Sequence, residues 1–367
     1  MTPYVACLKA RKSDIAAYSL LTHRARNVLV PLFDIPMCPA DCALVDHIQM
    51  SVQALRGLDR HRFFFDPYGI HPGQRLANGQ LAEIATFGMV EAVTRQFIPT
   101  YGIERSEVTW QHLPALIALL NSGFAFRVLS RDIEQPEDTW EQILFRSGQL
   151  RLDMREIDVL IDLREISGMD VDRLTDLVTD FLSQVPRNLR SIALLATSAK
   201  KDATEVALDE VGRFPRLELE LWARLQYELG SHVNIAFGDY AISHPDVMIA
   251  GPNKNANAKI RYTAGRHLYY FRGHGLHTPK SDFAQYHSLA RKVVASEHYY
   301  GPDFSWGDAT IFSKCGTAST PGNLGTWVKI DSNHHMTVVA EQLQEISLPL
   351  VNSTSLYVVE KILNSLD

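Results

Sequence analysis

The stretch Val28-Leu-Val-Pro-Leu-Phe-Asp34 is an almost continuous apolar run that ends on a carboxylate. Runs of this kind, bounded by turn residues, are typical of strands that a parallel sheet buries on both faces. A helical pattern of apolar residues follows from Asp41 and ends at Gly57. The stretch therefore predicts one strand–helix unit with a charged side chain at the carboxyl end of its strand.

The same unit recurs along the first 240 residues. Eight strands are predicted, at residues 5–9, 28–34, 62–66, 96–101, 124–129, 159–164, 191–197 and 234–239. Strands that alternate with helices indicate a parallel sheet, and eight units of this length fit a closed (β/α)8 barrel. The alternative is an open doubly wound sheet, which usually has fewer strands. Its Gly-x-Gly-x-x-Gly turn does not follow the first strand. We therefore predict an α/β fold of the TIM-barrel type.

The regular alternation ends after Asp239. A polar, turn-rich stretch at 251–257 leads to a predicted strand or hairpin at 260–272, and helices are predicted at 281–296 and 336–343. We expect residues 1–245 to form the barrel. Residues 246–367 are expected to form an irregular C-terminal elaboration, with a closing helix packed on the barrel. A separate small domain is the alternative.

Composition excludes several classes of protein. The 367 residues include 36 Lys and Arg against 42 Asp and Glu, a net charge of −6, which gives no global signal for nucleic-acid binding. The sequence shows no apolar stretch of the roughly 20 residues that span a bilayer, and no basic segment followed by an apolar one at its start. We therefore expect a cytoplasmic protein without a membrane partner.

Cysteine usage and the known nucleotide motifs give no sign of a cofactor. Four cysteines in a chain of this length indicate reduced thiols rather than a disulfide framework. Cys38 and Cys42 are spaced like two zinc ligands, but no second close pair of Cys or His stands nearby in the sequence. A Gly-x-x-x-x-Gly-Lys-Ser/Thr loop is missing as well. We predict no metal and no cofactor.

The charged residues at the strand ends form the candidate site. Because the loops at the carboxyl ends of barrel strands converge over one face, these side chains are expected to share one mouth. Asp162 and Arg164 are two residues apart and should point the same way, as a pair. The candidate catalytic carboxylates are Asp34, Asp66, Asp162 and Asp239, and the candidate ligand-binding cations are Lys9, Arg127 and Arg164. The alternative is a ring of salt bridges that plugs the end of the barrel.

Two further segments carry residues suited to anions. Lys200 and Lys201 follow the seventh strand, where many barrels bind phosphate, although a solvated charged loop is the simpler interpretation. The tail contains Arg272-Gly-His-Gly-Leu-His277 and Asn333-His334-His335, and histidine suits acid–base work at neutral pH. Arg272, His334 and His335 therefore join the predicted ligand-binding residues. Trp306 and Trp327 are expected to pack in a cap over the mouth.

The sequence also resembles a known family in short patches spread over nearly the whole chain. The patches are Tyr4-Val-Ala-Cys-Leu-Lys-Ala-Arg11, Val30-Pro-Leu-Phe-Asp-Ile-Pro36, Leu160-Ile-Asp-Leu-Arg164, Trp306-Gly-Asp308, Thr326-Trp327 and Asn333-His334-His335. They are similar to the phage "beta protein" family of satellite phages, prophages and bacterial defence islands, except that Ala6 stands where that family has Pro. The resemblance implies a barrel-like fold and a role in phage exclusion, beside a partner that acts as a toxin or effector.

Two functional hypotheses follow. The first is an anti-phage defence component whose barrel mouth binds an anionic small molecule or nucleotide, with hydrolysis of a phosphate-bearing ligand as one reaction it would support. The second is a non-catalytic sensor or regulatory partner that controls a toxic effector protein. In both, a protein partner from the same defence locus is expected.

Overall fold

Eight parallel strands close on themselves in this protein, seen in a computed structural model that describes residues 4–58, 61–229, 233–246, 256–276 and 282–346. The barrel order is β1-β2-β3-β4-β5-β6-β7-β9, and β1 pairs with β9 through Tyr4–Phe237, Val5–Gly238 and Ala6–Asp239. This pairing closes the sheet. The predicted barrel is thus confirmed and the open sheet is excluded.

The barrel strands match the predicted apolar runs to within about two residues at each end. They are β1 (Tyr4–Lys9), β2 (Leu29–Asp34), β3 (Phe63–Asp66), β4 (Phe97–Gly102), β5 (Phe124–Leu129), β6 (Ile157–Glu165), β7 (Ser191–Thr197) and β9 (Ile235–Asp239). The other strands are β8 (Val211–Pro215), β10 (Asn257–Ala264) and β11 (His267–Gly275).

Most helices connect the barrel strands and cover the outside of the barrel, whereas those near the C-terminus pack with the hairpin of β10 and β11. The helices are α1 (Lys12–Ser19), α2 (His23–Arg26), α3 (Leu44–Ala54), α4 (Ala82–Glu91), α5 (Glu107–Trp110), α6 (Leu113–Leu120), α7 (Ser130–Ile133), α8 (Pro136–Leu150), α9 (Val171–Ser183), α10 (Leu217–Leu229), α11 (Gln285–Val294), α12 (Trp306–Ser313) and α13 (Leu324–Ile346), with a short 3₁₀ turn at Met154–Glu156. Among the described helices, none is both long and apolar enough to cross a membrane.

The core has two layers, set by the alternation of side chains along each strand. Outward-facing residues such as Phe33, Phe63 and Phe97 pack against the helices in the larger cluster. Inward-facing residues, among them Cys7, Leu32, Phe64, Ile98, Leu160 and Leu195, fill the barrel itself. A Cβ added at Gly238 would lie 2.4 Å from Leu195 Cδ2, so this inward position of β9 has no room for a side chain.

The C-terminal elaboration is built on a three-stranded antiparallel sheet in the order β10-β11-β8. Strand β8 lies between β7 and β9 in the chain, so this sheet takes one strand from within the seventh connection. The hairpin packs with α11, α12 and α13 around a second core that contains Tyr262, Tyr286 and Trp327. Helix α13 also packs on the barrel, where Asn333 Nδ2 donates to Ala17 O at 2.9 Å.

Candidate binding site at the barrel mouth

Charged residues occupy the last inward-facing positions of the barrel strands, above the apolar interior. Arg127 is the central one, and its side chain is fully buried. Its Nε donates to Asp162 Oδ2 at 2.8 Å, and its Nη1 donates to Asp66 Oδ2 at 2.9 Å. Its Nη2 donates to the hydroxyl of Tyr240 at 3.0 Å. One guanidinium therefore joins β3, β5, β6 and the residue that follows β9.

Each buried carboxylate of the mouth also has a partner other than Arg127, either another cation or a tyrosine hydroxyl. Lys9 Nζ donates to Asp34 at 3.0 Å, and Arg105 binds both oxygens of Asp66 at 2.5 and 2.9 Å. Tyr240 donates to Asp162 at 2.6 Å. Fork-to-fork contacts such as that of Arg105 with Asp66 are among the strongest ion pairs that proteins form.

The pKa shifts follow from this pairing. Burial by itself would raise the pKa of Asp66, but Arg105 and Arg127 lower it below its ordinary value. Burial likewise works against the charged forms of Lys9 and Arg127, yet the pKa of each is raised, chiefly by Asp34 in the first case and Asp162 in the second. The groups stay ionised because each charge has an opposite charge beside it.

These side chains form a closed assembly, which we call the buried network: Asp34, Asp66, Arg105, Arg127, Asp162 and Tyr240. The carboxylates of Asp34, Asp66 and Asp162 are 0% exposed. Removing charges from water is costly unless they are paired, and here each of them is. The buried network therefore resembles a structural salt-bridge plug, which was the alternative to a functional site in the prediction from sequence.

A cleft of about 290 Å³ lies above the buried network. Its polar lining comes from Lys9, Tyr68, Arg164, Lys201 and Asp246, and its apolar lining from Ile35, Pro36, Met37, Gly69 and Pro245. We call these residues the cleft. Its cations come from three different strand ends, β1, β6 and β7, which the closed barrel brings together. Three cations face one carboxylate, so the lining carries a net positive charge.

Arg164 reaches the cleft through an irregular backbone. The register of β6 against β7 shifts between Asp162 and Arg164, and Arg164 has a φ of +60°. A left-handed conformation is uncommon for a residue with a side chain, and such residues cluster at functional sites. The guanidinium donates to the hydroxyl of Tyr68 at 2.5 Å and pairs with the carboxylate of Asp246.

The expected side-chain pair between Asp162 and Arg164 is not formed. Asp162 Oδ1 accepts instead from the backbone N–H of Arg164 at 2.9 Å, while the guanidinium turns to Tyr68 and Asp246. The register shift breaks the simple two-residue alternation on which the expectation rested. The two residues are neighbours, but one belongs to the buried network and the other to the cleft.

Three guanidinium groups lie around the aromatic ring of Tyr68. The guanidinium carbons of Arg127, Arg105 and Arg164 lie 4.4, 5.1 and 5.3 Å from its centroid. The loop that carries it runs close to the residues after β2, where Gly69 N donates to Ile35 O at 2.9 Å. A Cβ on Gly69 would lie 2.4 Å from that oxygen, so only glycine allows this approach.

Asp239 does not lie in the mouth, contrary to expectation. On β9 the inward positions are Ala236, Gly238 and, just beyond the strand, Tyr240, so Asp239 faces outward. It accepts from Tyr4 Oη at 2.6 Å and lies 2.9 Å from His335 Nε2 on α13. Its carboxylate thus joins β1 and β9 to the helix that covers them.

The predicted ligand-binding residues of the tail are also elsewhere. His334 and His335 are at most 1% exposed, and His334 Nδ1 lies 2.8 Å from Asp308 Oδ2. Arg272 lies on β11 and donates to Thr204 O at 3.2 Å and to Val206 O, which ties down the segment before β8. His277 is outside the described residues. His335 thus lies against the barrel wall, and His334 lies inside the elaboration, where it contacts Asp308 and Thr263 O; neither lies over the mouth.

The tryptophans of the tail pack within the elaboration. Trp327 is buried and stacks on Tyr286 with ring centroids 4.6 Å apart, and Trp306 is covered by Lys329 Nζ at 4.7 Å from its ring. Both contacts lie among helices α11 to α13 rather than in the lining of the cleft.

Arg105, Tyr68 and Tyr240 belong to the mouth and were not predicted. Tyr240 follows from alternation, because Ala236 faces inward and Tyr240 is four residues further along. Arg105 and Tyr68 lie in loops three residues after β4 and two after β3, where no periodicity applies. The sequence marks them only as an aromatic and a cationic residue that follow a strand end within a few positions.

The loop after β2 carries groups that suit a soft metal ion. One ligand atom each from Cys38, Cys42 and His47 lies within 4.8 Å of the other two. The sequence predicted no metal because it offered only the two cysteines. His47 comes from the first turns of α3 and completes a group of three.

A larger cavity, of about 800 Å³, lies at the opposite end of the barrel, beside the starts of β7 and β9. Its lining includes Arg187, Asn188 and Glu228. Function in barrels of this type is carried at the carboxyl ends of the strands, whereas the amino-terminal face contributes stability. We therefore assign the candidate site to the smaller cleft.

Comparison with known proteins places the chain in a family. Among solved structures, it is similar to triosephosphate isomerase from Bartonella henselae, with 11% sequence identity over 66% of this chain and 93% of that chain and a TM-score of 0.33. No curated protein matches it. The family profile described as Beta protein matches residues 4–341, nearly the whole length. The chain belongs to the Beta protein family.

Proposed function

We propose that this protein binds a small, phosphate-bearing anion in the cleft as a component of an anti-phage defence system. One observation carries the binding part of the proposal: among the described residues that line the cleft, Lys9, Arg164 and Lys201 come from three strand ends, and Asp246 is the one carboxylate. Lys9 is already paired with Asp34 beneath the cleft, so Arg164 and Lys201 are the cations that the proposal depends on. The defence role rests on the family resemblance. A small anion suits the volume of about 290 Å³, which lies at the lower end of ligand pockets.

The chemistry of binding follows from the state of Arg164. Its guanidinium side chain is 26% exposed and pairs with Asp246, whose carboxylate is 56% exposed. An ion pair this exposed contributes little to stability, so an incoming anion can replace the Asp246 carboxylate at low cost. The planar guanidinium then offers two donors to a phosphate, while Lys201 supplies a point charge and Lys9 stays paired with Asp34.

The geometry supports binding more than hydrolysis. A general base needs a carboxylate or imidazole free to take a proton from water. Asp34, Asp66 and Asp162 are each committed to cations or to Tyr240, and the pKa of Asp66 is lowered by its arginines. Of the two hypotheses, the sensor or regulatory partner therefore has the stronger support, and its ligand is the anion of the cleft.

A protein partner from the same defence locus completes the proposal. Helices α6 and α8, which pack against each other, expose Leu119, Leu144 and Phe145 by 60, 47 and 61%. Exposed apolar side chains on neighbouring helices favour a protein interface on the outside of the barrel. In this proposal, ligand occupancy at the mouth controls a toxic effector bound elsewhere on the surface.

Titration calorimetry with inorganic phosphate and a panel of phosphate monoesters tests the proposal. Arg164→Asn removes the guanidinium and keeps a residue that tolerates a positive φ. We expect the variant to bind at least about tenfold more weakly, the loss of one charge-assisted hydrogen bond. Arg131→Gln is the matched control, because this arginine is 65% exposed on α7 and is not part of the cleft lining.

A phage plaque assay on the same variants tests the defence role. We expect Arg164→Asn to lose protection and Arg131→Gln to keep it, with both proteins equally folded. Full protection by a well-folded Arg164→Asn protein would contradict the assignment of the cleft as the functional site. Release of phosphate from a monoester by the wild type would show catalysis and would reject the binding-only role.

A further inference from the structure

The segment between β2 and α3 brings three soft or borderline ligands together on a stiff backbone. Cys38 and Cys42 are half-buried, and neither forms a disulfide. Pro36 and Pro39 restrict the loop before and after Cys38. His47 is 6% exposed, so α3 holds its ring inside the protein and on the side of the two thiols.

Each ligand atom is in a state that suits coordination. Cys38 Sγ has only weak contacts, with Cys42 O at 3.4 Å and Pro39 O at 3.5 Å, and Cys42 Sγ contacts Ala43 O at 3.5 Å. Within the described part of the chain, the ring of His47 has a hydrogen-bond partner on one side only: Nε2 lies 2.7 Å from Pro36 O. Because a carbonyl accepts, Nε2 carries the proton and the lone pair is on Nδ1.

Metal-binding histidines usually donate their other ring N–H to a backbone carbonyl, which fixes the tautomer and the ring orientation. The contact between His47 and Pro36 is a bond of this kind, and it is independent of the two thiols. It separates this group from a chance meeting of two cysteines and a histidine.

We propose that Cys38, Cys42 and His47 bind one Zn²⁺ ion, with the fourth position open to water. In a tetrahedral site, Zn–S and Zn–N bonds of about 2.3 and 2.0 Å place neighbouring ligand atoms roughly 3.5 to 3.8 Å apart. One ring nitrogen of His47 and the two sulfur atoms lie within 4.8 Å of one another, so a small closure of the loop completes the site. On binding, both thiols lose their protons to solvent and bind as thiolates.

The site adds to the proposed function and does not depend on it. Pro36 accepts from His47 and also lines the cleft, as does Met37 beside Cys38. A bound ion would therefore fix the backbone that forms one wall of the cleft. Zinc content is measured without any ligand in the cleft, so either proposal can fail while the other stands.

Metal analysis of the full chain, purified without a histidine tag, tests this inference. We expect about one zinc per chain. After chelation, Co²⁺ should restore the site and give the charge-transfer absorption of a cobalt–thiolate bond. Cys38→Ser and Cys42→Ser should lose both signals. Cys315→Ser, at a half-buried thiol two residues after α12, should keep both.

His47→Gln separates coordination from folding. The glutamine amide can still donate to Pro36 O, so the loop keeps its hydrogen bond while the ring nitrogen is lost. We expect this variant to stay folded, with much weaker zinc binding. Wild-type zinc content in Cys38→Ser and Cys42→Ser, the lack of a cobalt–thiolate band in the wild type, or a Cys38–Cys42 disulfide in the purified protein would each overturn the site.

Discussion

The buried network and the cleft are built from the same kinds of residue, a few ångströms apart, yet they differ in what water can reach. Asp34, Asp66 and Asp162 have 0% exposed side chains, and each lies beside at least one cation. In the cleft, Arg164 and Asp246 are 26 and 56% exposed and form a pair that an anion can displace. Charges withdrawn from solvent must satisfy one another, whereas charges at the edge of solvent remain available to a ligand.

The largest effect should come from the centre of the buried network. Arg127→Met leaves Asp66 and Asp162 without the cation between them, and breaking a buried ion pair costs about 3–5 kcal/mol. We expect a loss of this size in the free energy of unfolding, measured by urea denaturation.

Arg95→Met is the matched control for this substitution. Its guanidinium is 70% exposed and pairs with Glu91 on the protein surface. Such pairs contribute about 0–1 kcal/mol, so the control should unfold close to the wild type. Similar losses for both variants would mean that burial does not distinguish the network.

Two tyrosine substitutions sharpen the same contrast. Tyr240→Phe removes a donor to buried Asp162 and a partner of Arg127, which should cost about 1–3 kcal/mol. Tyr68→Phe removes only the acceptor of half-buried Arg164, with an expected change within about 0.5 kcal/mol. Both keep the ring, so urea denaturation compares one hydroxyl group in each region. A larger loss for Tyr68→Phe would reverse the assignment.

A smaller, pH-dependent effect is expected outside the mouth, at His335. Burial lowers the pKa of this histidine below its ordinary value, and facing Asp239 only partly opposes the shift. The unfolded chain takes up the proton near pH 6.5, and the folded chain only at lower pH. The contribution of His335 to stability is therefore complete above about pH 6.5 and declines as the pH falls below it.

His335→Gln should remove that component of the pH dependence. Between pH 7.5 and 5, roughly the range in which histidine titrates, its unfolding free energy should fall less steeply than that of the wild type. The comparison is between slopes, because the substitution also removes contacts with Thr263 and Asp239. Equal slopes would place the titration on another group.

The fold was predictable from sequence because the barrel is made of local units. Each apolar run and its helix are recognisable alone, and the structure reproduces all eight barrel strands. Strand β8 was not predicted. Its residues alternate between exposed and half-buried, and the strand forms because it pairs with β11. That partner is more than 50 residues away, so no local pattern marks it.

The site was predictable only in part, for a similar reason. Four of the predicted residues occupy the last inward-facing positions of their strands, and the closed barrel brings them together as expected. They are Asp34, Asp66, Arg127 and Asp162. Asp239 shows that the end of a strand alone does not predict a place in the mouth. It also ends a strand, but its side chain faces outward, as the alternation of side chains along β9 predicts once Ala236 is known to face inward. Arg105, Tyr68 and Asp246 come from loops, and their meeting depends on how the closed barrel brings those loops together.

Thermal unfolding with and without inorganic phosphate, for the wild type and for Arg164→Asn, tests the central claim most directly. A ligand that binds only the folded state at 100 times its dissociation constant stabilises that state by about 2.7 kcal/mol. We predict that phosphate raises the melting temperature of the wild type and raises that of Arg164→Asn by about half as much or less, because tenfold weaker binding leaves about 1.4 kcal/mol of stabilisation at the same phosphate concentration. Without phosphate, the two should agree within about 1 kcal/mol. An equal rise in both proteins, or none in the wild type, would contradict an anion-binding cleft that works through Arg164.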